Sequence, residues 1–122
     1  MLLDTHRLLW ALGSPARLST DLRRQLDAAE VFVSAAPIWE ISIKSTLGKL
    51  DADPQQVLLT LAPAGFVLLP VLGEHAAMVA RRPPIHRDPF DRMLLAQAFS
   101  EPMNLFTRDE TLRAYGSLVT VV

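Results

Sequence analysis

No cysteine occurs anywhere in the chain. Its absence excludes disulfides, thiolate nucleophiles and cysteine-ligated zinc or iron–sulfur centres, and fits a reducing cytoplasm. An excess of either charge is missing too. Twelve Lys and Arg stand against thirteen Asp and Glu, a net charge of −1, so no global basic field announces a nucleic-acid binder and any such binding must be local. A long unbroken apolar run is likewise lacking. Pro54 to Gly73 carries no charge over 20 residues, but Gln55, Gln56, Pro63, Gly65 and Pro70 interrupt it, so it reads as helix, turn and strand instead of a membrane span. Met1-Leu2-Leu3-Asp4 shows no positive stretch followed by an apolar core, so no secretory signal is expected and the protein is expected in the cytoplasm.

What is present is apolar: 50% of the 122 residues are hydrophobic and mean hydropathy is +0.24. Such a chain is expected to form one compact domain over residues 1–122 that buries about two-thirds of its unfolded surface. Short apolar runs predict strands at Met1 to Leu3, Val31 to Ser34, Phe66 to Leu69, Asn104 to Thr107 and Ser117 to Val122. Between them the patterns predict helices over Thr5 to Leu12, Thr20 to Ala29, Pro37 to Leu47, Pro54 to Leu61, Glu74 to Arg81 and Pro89 to Phe99, with a short turn at Glu110 to Ala114. Ser19, Asp53 and Asp88 stand where N-caps belong, the last two followed by proline. Val31-Phe32-Val33 and Phe66-Val67-Leu68-Leu69 are continuously apolar, which suits strands covered on both faces. The expected fold class is α/β, three-layered, with a parallel sheet.

Open parallel sheets bind ligands outside the carboxyl ends of their strands. Four acids fall in or near such places: Asp4 directly after the first strand, Glu40 in the helix after the second, Asp91 at the start of the helix before the fourth, and Asp109 after the fourth. Asp91 heads a ridge with Leu94, Leu95 and Ala98, which aims its carboxylate over the sheet edge. Four gathered carboxylates repel one another unless a cation compensates them, and oxygen-only ligands favour Mg²⁺ or Mn²⁺. That chemistry suits hydrolysis of phosphodiesters by an activated water. Each acid has an ordinary alternative: Asp4 can cap the first helix, Glu40 can pair with Lys44, Asp91 can join Asp88 in capping, and Asp109 can cap the last turn.

The stretches Met1-Leu2-Leu3-Asp4-Thr5-His6-Arg7-Leu8-Leu9-Trp10 and Ser34-Ala35-Ala36-Pro37-Ile38-Trp39-Glu40-Ile41-Ser42-Ile43-Lys44 resemble the first two motifs of VapC-like PIN domains. His86-Arg87-Asp88-Pro89-Phe90-Asp91-Arg92-Met93-Leu94-Leu95-Ala96-Gln97-Ala98 and Leu105-Phe106-Thr107-Arg108-Asp109 resemble the third and fourth. The resemblance runs from Met1 to Tyr115, and the third motif is its most specific part. It implies a PIN fold with a five-stranded, mostly parallel sheet of order 3-2-1-4-5. It also implies an Mg²⁺- or Mn²⁺-dependent endoribonuclease restrained by a VapB-type antitoxin; DNA is expected to be reached only through that antitoxin, and a homodimer is expected, with higher oligomers left open. The family's acids fall on Asp4, Glu40, Asp91 and Asp109, with Asp4 and Asp91 as principal metal ligands and the other two supporting. Asp88 and Glu110 are left as a helix cap and a solvated neighbour.

Around this frame, Thr5 and Thr107 are candidates for positioning water, and Arg82, Arg87 and Arg92 in the basic stretch are candidates for RNA phosphate contacts. His6 and His86 are expected to pack or to support, since hydrolysis by a metal site needs no histidine base, and His75 is given no role. On the helix after the second strand, Ile38 and Ile41 lie on one side and Trp39 and Ile43 well round on another. The second face, with Leu8, Leu9 or Trp10 nearby, is expected to receive an apolar segment of the antitoxin or a second protomer. Two other classes fit less well. A receiver domain needs an aspartate at the end of its third strand, where Leu68-Leu69-Pro70 stands, and an aspartate-nucleophile phosphatase needs a second aspartate where His6 stands. A binding module without catalysis stays open, although all four acids are intact.

Overall fold

The computed structural model describes residues 1–81 and 88–122. Its centre is the shortest strand, β1 (Leu2–Leu3), flanked by β2 (Val31–Ser34) and β4 (Leu105–Thr107), with β3 (Phe66–Leu69) and β5 (Val119–Val121) at the edges. The order is β3-β2-β1-β4-β5 and every pairing is parallel. This is the α/β sheet expected from the sequence, with no antiparallel pair among the described residues.

Alternation along the strands feeds two cores, because successive side chains leave opposite faces. Leu3, Val31, Val33 and Phe106 pack on one face with Leu8 of α1 (Thr5–Gly13), Leu22 of α2 (Thr20–Ala28), Ile41 of α3 (Ala35–Thr46) and Val57 and Leu61 of α4 (Pro54–Leu61). On the other face Leu2, Leu105 and Val119 meet Leu94, Leu95 and Ala98 of α6 (Pro89–Ser100), together with Leu112 and Tyr115 of a 3₁₀ segment, Glu110–Tyr115. The ridge at spacings of three, four and seven is therefore the sheet-facing face of α6. The remaining helix, α5 (Gly73–Val79), packs beside α6.

Among the boundaries that differ from the sequence reading, two do so for clear local reasons. Helix α3 begins at Ala35, not Pro37, because the Ser34 hydroxyl accepts from the Ala36 amide at 3.0 Å and starts the helix on the last strand residue. Pro37 then falls in the first turn, where its missing N–H has no intrahelical partner to lose. At the other end of the sheet, β5 is three residues instead of six because the turn that follows Gly116, at φ +116, takes up Ser117 and Leu118, and Val122 lies past the strand. No helix among the described residues is long and apolar enough to cross a membrane.

Candidate active site

The carboxyl ends of β1 and β4 lie side by side, and Asp4 stands between them. Its Oδ1 accepts from the Arg7 amide at 2.8 Å, which caps α1. Its Oδ2 accepts from the Thr107 hydroxyl at 2.8 Å and the Arg108 amide at 3.0 Å, both from the neighbouring strand end. Three donors leave this carboxylate, only 4% exposed, with one orientation. Glu40 is almost as buried. Its Oε1 accepts from the Thr5 hydroxyl at 2.6 Å and its Oε2 pairs with the Lys44 ammonium one turn on.

Asp88 caps α6 by accepting from the amides of Phe90 and Asp91, at 2.8 and 3.1 Å. That cap fixes the first turn from which Asp91 projects. Asp109 accepts from the amide and hydroxyl of Thr111, while its own amide donates to the Thr107 hydroxyl at 3.1 Å. Asp4, Glu40, Asp91 and Asp109 all line one cavity of about 430 Å³, with Thr5, His6, Lys44, Asp88, Arg108 and Glu110. The acids share a field as well as a cavity. The Lys44 ammonium is held above its ordinary range chiefly by the hydrogen bond to Glu40, against the opposing effect of burial, and Asp88 and Asp91 add to the pull.

Several capping and pairing roles thus coexist with the gathering of the acids. A capping carboxylate uses some of its lone pairs and keeps the rest. The four acids offer only oxygen and are strongly negative, with Lys44, Arg108 and His6 also in the lining, which fits a hard divalent cation better than a soft one.

A second group of candidate ligands lies elsewhere: atoms of Glu74, His75 and Glu101 all come within 4.8 Å of one another. His75 is fully buried. Its Nδ1 accepts from the Leu72 amide at 3.0 Å, which leaves Nε2 to carry the proton and donate to Glu101 at 2.9 Å. In that tautomer the nitrogen facing Glu101 is a donor, so His75 ties the start of α5 to the end of α6. Its burial had no signal in the sequence beyond a lone histidine in a helical stretch.

The profile of the PIN domain matches residues 1–118. The chain belongs to the PIN-domain family. Three solved structures share the fold over nearly the whole length: a toxin-antitoxin complex from Klebsiella pneumoniae (18% identity, 98% of this chain and 95% of that one, TM-score 0.68), VapBC2 from Rickettsia felis bound to a promoter DNA fragment (12%, 99% and 96%, 0.70), and FitAcB from Neisseria gonorrhoeae (22%, 97% and 94%, 0.62). No curated protein sequence matches significantly.

Within this PIN domain, the remaining candidate residues are placed as follows. The hydroxyls of Thr5 and Thr107 are spent on Glu40 and Asp4, so both act on the carboxylates directly. Arg92 does not line the acidic cavity; its Nη2 donates to the Val79 carbonyl at 3.1 Å, and it borders an apolar cavity beside α5. Arg82, Arg87 and His86 lie outside the described residues. Trp39 is 63% exposed and Ile43 37%, whereas Ile41 is core and Ile38 packs against it. Trp39 borders two apolar cavities, of about 520 and 480 Å³, with its ring edge-on to Phe90 at 5.1 Å. Leu8 and Leu9 are not part of that surface: Leu8 is fully buried and Leu9 packs on the first core. Trp10 borders other cavities, under Arg7 and Arg17. Arg108 lines the acidic cavity and the sequence reading passed over it, although its place between Thr107 and Asp109 was a positional signal.

Proposed function

We propose that this PIN domain is a metal-dependent endoribonuclease and the toxin of a toxin-antitoxin pair. The observation that carries the reading is the single cavity at the ends of β1 and β4 lined by Asp4, Glu40, Asp91 and Asp109. Asp4 and Asp91 would be the principal ligands of Mg²⁺ or Mn²⁺, with Glu40 and Asp109 completing the set. When bound, such an ion supplies Lewis-acid polarisation of the phosphoryl oxygen and activation of water, so that the 3′ oxygen leaves and a 5′ phosphate results. The chain's own residues fix the carboxylates: Thr107 and the Arg108 amide orient Asp4, Thr5 and Lys44 orient Glu40, and Asp88 sets the turn bearing Asp91. Lys44 and Arg108 at the rim give an RNA phosphate its electrostatic welcome.

The same comparisons support a partner. The neighbours are toxin-antitoxin complexes, one of those named bound to DNA, and a VapB-type antitoxin is the partner this chain would take, with DNA bound only through it. The exposed apolar face around Trp39 and Ile43 supports that contact or a homodimer, and the expected compartment is the cytoplasm.

The test is cleavage of total cellular RNA by purified, antitoxin-free protein. Chelator should abolish cleavage and Mg²⁺ or Mn²⁺ restore it, while Asp91→Asn should reduce the rate by orders of magnitude and keep the fold. Undiminished cutting in chelator, or by Asp91→Asn, would sink the assignment.

A further inference from the structure

Trp39 and Phe90 are large aromatic side chains that belong to neither core. Trp39 is exposed, with apolar cavities beside it, and Phe90 is half-buried. Their rings meet edge-on, with centroids 5.1 Å apart and planes at 76°. That arrangement sets the positive edge of one ring against the negative face of the other and is attractive beyond the area it covers. Both rings keep surface in reach of water, so burial alone does not account for the pairing.

The contact joins two helices that pack on opposite faces of the sheet. Ile41 seats α3 on the first core, whereas Leu94, Leu95 and Ala98 seat α6 on the second. The rings bridge α3 and α6, and each ring is the chain neighbour of an acid: Glu40 follows Trp39 and Asp91 follows Phe90. One turn of each helix therefore carries a carboxylate in the lining of the acidic cavity and an aromatic ring outside it. Like charges on the two turns push them apart when no ion compensates them. The Lys44 ammonium, hydrogen-bonded to Glu40, relieves part of that repulsion and feels Asp91 as well. An attraction between the rings opposes the rest.

We propose that the ring pair is a brace that holds these turns of α3 and α6 at the separation a divalent ion requires, which makes Trp39 and Phe90 positioning residues for Glu40 and Asp91. The inference rests on the nuclease reading for the ion, and goes beyond it in giving the exposed tryptophan a task inside the domain. Without either ring the repulsion is unopposed at this point, the acids settle further apart, and an ion has to draw them together before it is held. Sheet packing still seats both helices, so the fold survives the loss. The exposed remainder of the Trp39 ring stays open to a partner.

Titration of Mn²⁺ into the whole purified protein, with no RNA present, reads the brace without turnover. Trp39→Ala and Phe90→Leu should each bind Mn²⁺ several-fold more weakly than wild type, while the melting temperature of the ion-free protein stays nearly the same. The double variant should bind no more weakly than the weaker single one, because residues that act as a pair give losses that do not add. Trp39→Phe keeps an aromatic ring at that position and should recover part of the affinity. Ile43→Ala, an exposed change on the same helix outside the ring pair, should match wild type. Should Phe90→Leu prove unstable, the Trp39 variants carry the test alone. Wild-type Mn²⁺ affinity in Trp39→Ala, or single losses that simply add in the double variant, would overturn the brace. If wild type itself binds no Mn²⁺, the nuclease reading falls, and the brace is read instead from amide exchange at Phe90 and Asp91, whose N–H groups donate to the Asp88 carboxylate. Faster exchange there in Trp39→Ala than in wild type supports the brace, and equal exchange overturns it.

Discussion

Asp4, a principal candidate metal ligand, is fixed in place by its own hydrogen bonds. Asp4 accepts from three donors, two of them on Oδ2. In Asp4→Asn one carboxylate oxygen becomes an amide NH₂. It then faces either the Arg108 amide and the Thr107 hydroxyl or the Arg7 amide. A donor set against a donor at a buried site costs about 1–3 kcal/mol, so Asp4→Asn should lose both RNA cleavage and a measurable part of its stability in urea denaturation. Lys44 offers the complementary test. Its ammonium is the cation nearest to hand for Glu40, held above its ordinary value by that hydrogen bond, so the pair is intact throughout neutral pH and its contribution fades only on the alkaline side of the usual lysine range. Lys44→Met should lower the melting temperature at pH 7, and added Mg²⁺ should recover more of the loss than it gains for wild type, because a bound divalent ion answers the same uncompensated charge. Equal Mg²⁺ effects on the two proteins would show that the acids and Lys44 do not share a field.

Helix starts place much of the site. Asp88 caps α6 from its own side chain and thereby sets the turn that bears Asp91; Asp4 does the same for α1 while lining the cavity itself. Asp88→Ala should cost about 1 kcal/mol, the usual value of a lost N-cap, and should reduce cleavage as well, because the α6 terminus frays around Asp91. Denaturation and RNA cleavage measured on the same variant check this, and a stability loss with full activity would show that Asp91 is positioned by packing alone. The sequence signalled these starts because caps are local: Ser19, Asp53 and Asp88 each cap the helix that follows. The start of α3 was misplaced by two residues because proline at position 37 is a stronger local signal than a serine that doubles as the end of a strand.

The whole molecule presents a contrast between its two kinds of cavity. The acidic one is polar and framed by strand ends, whereas the two around Trp39 are lined mostly by apolar residues such as Ala35, Phe90 and Leu58. Trp39 contributes little to either core, so Trp39→Ala should leave melting temperature nearly unchanged while weakening the complex with a VapB-type antitoxin or the homodimer, read by co-purification and by sedimentation. An unfolded variant, or intact association, would return Trp39 to a packing role. How much of this architecture was legible follows from range. Continuous apolar runs, cap residues and the ridge from Asp91 to Ala98 are short-range patterns, so the sequence by itself determined a parallel α/β sheet, the two packed faces and the four acids near its carboxyl ends. What only the tertiary structure decided depends on residues far apart in the chain: the bond from Thr107 to Asp4, the bond from Thr5 to Glu40, the departure of Arg92 from the acidic cavity, the burial of His75, and the pairing of Arg7 with Arg17 over Trp10. The physical reason is that a side chain's hydrogen-bond partner or desolvation is fixed by which elements the crossovers bring together, and periodicity along one element carries no record of its neighbours across the sheet.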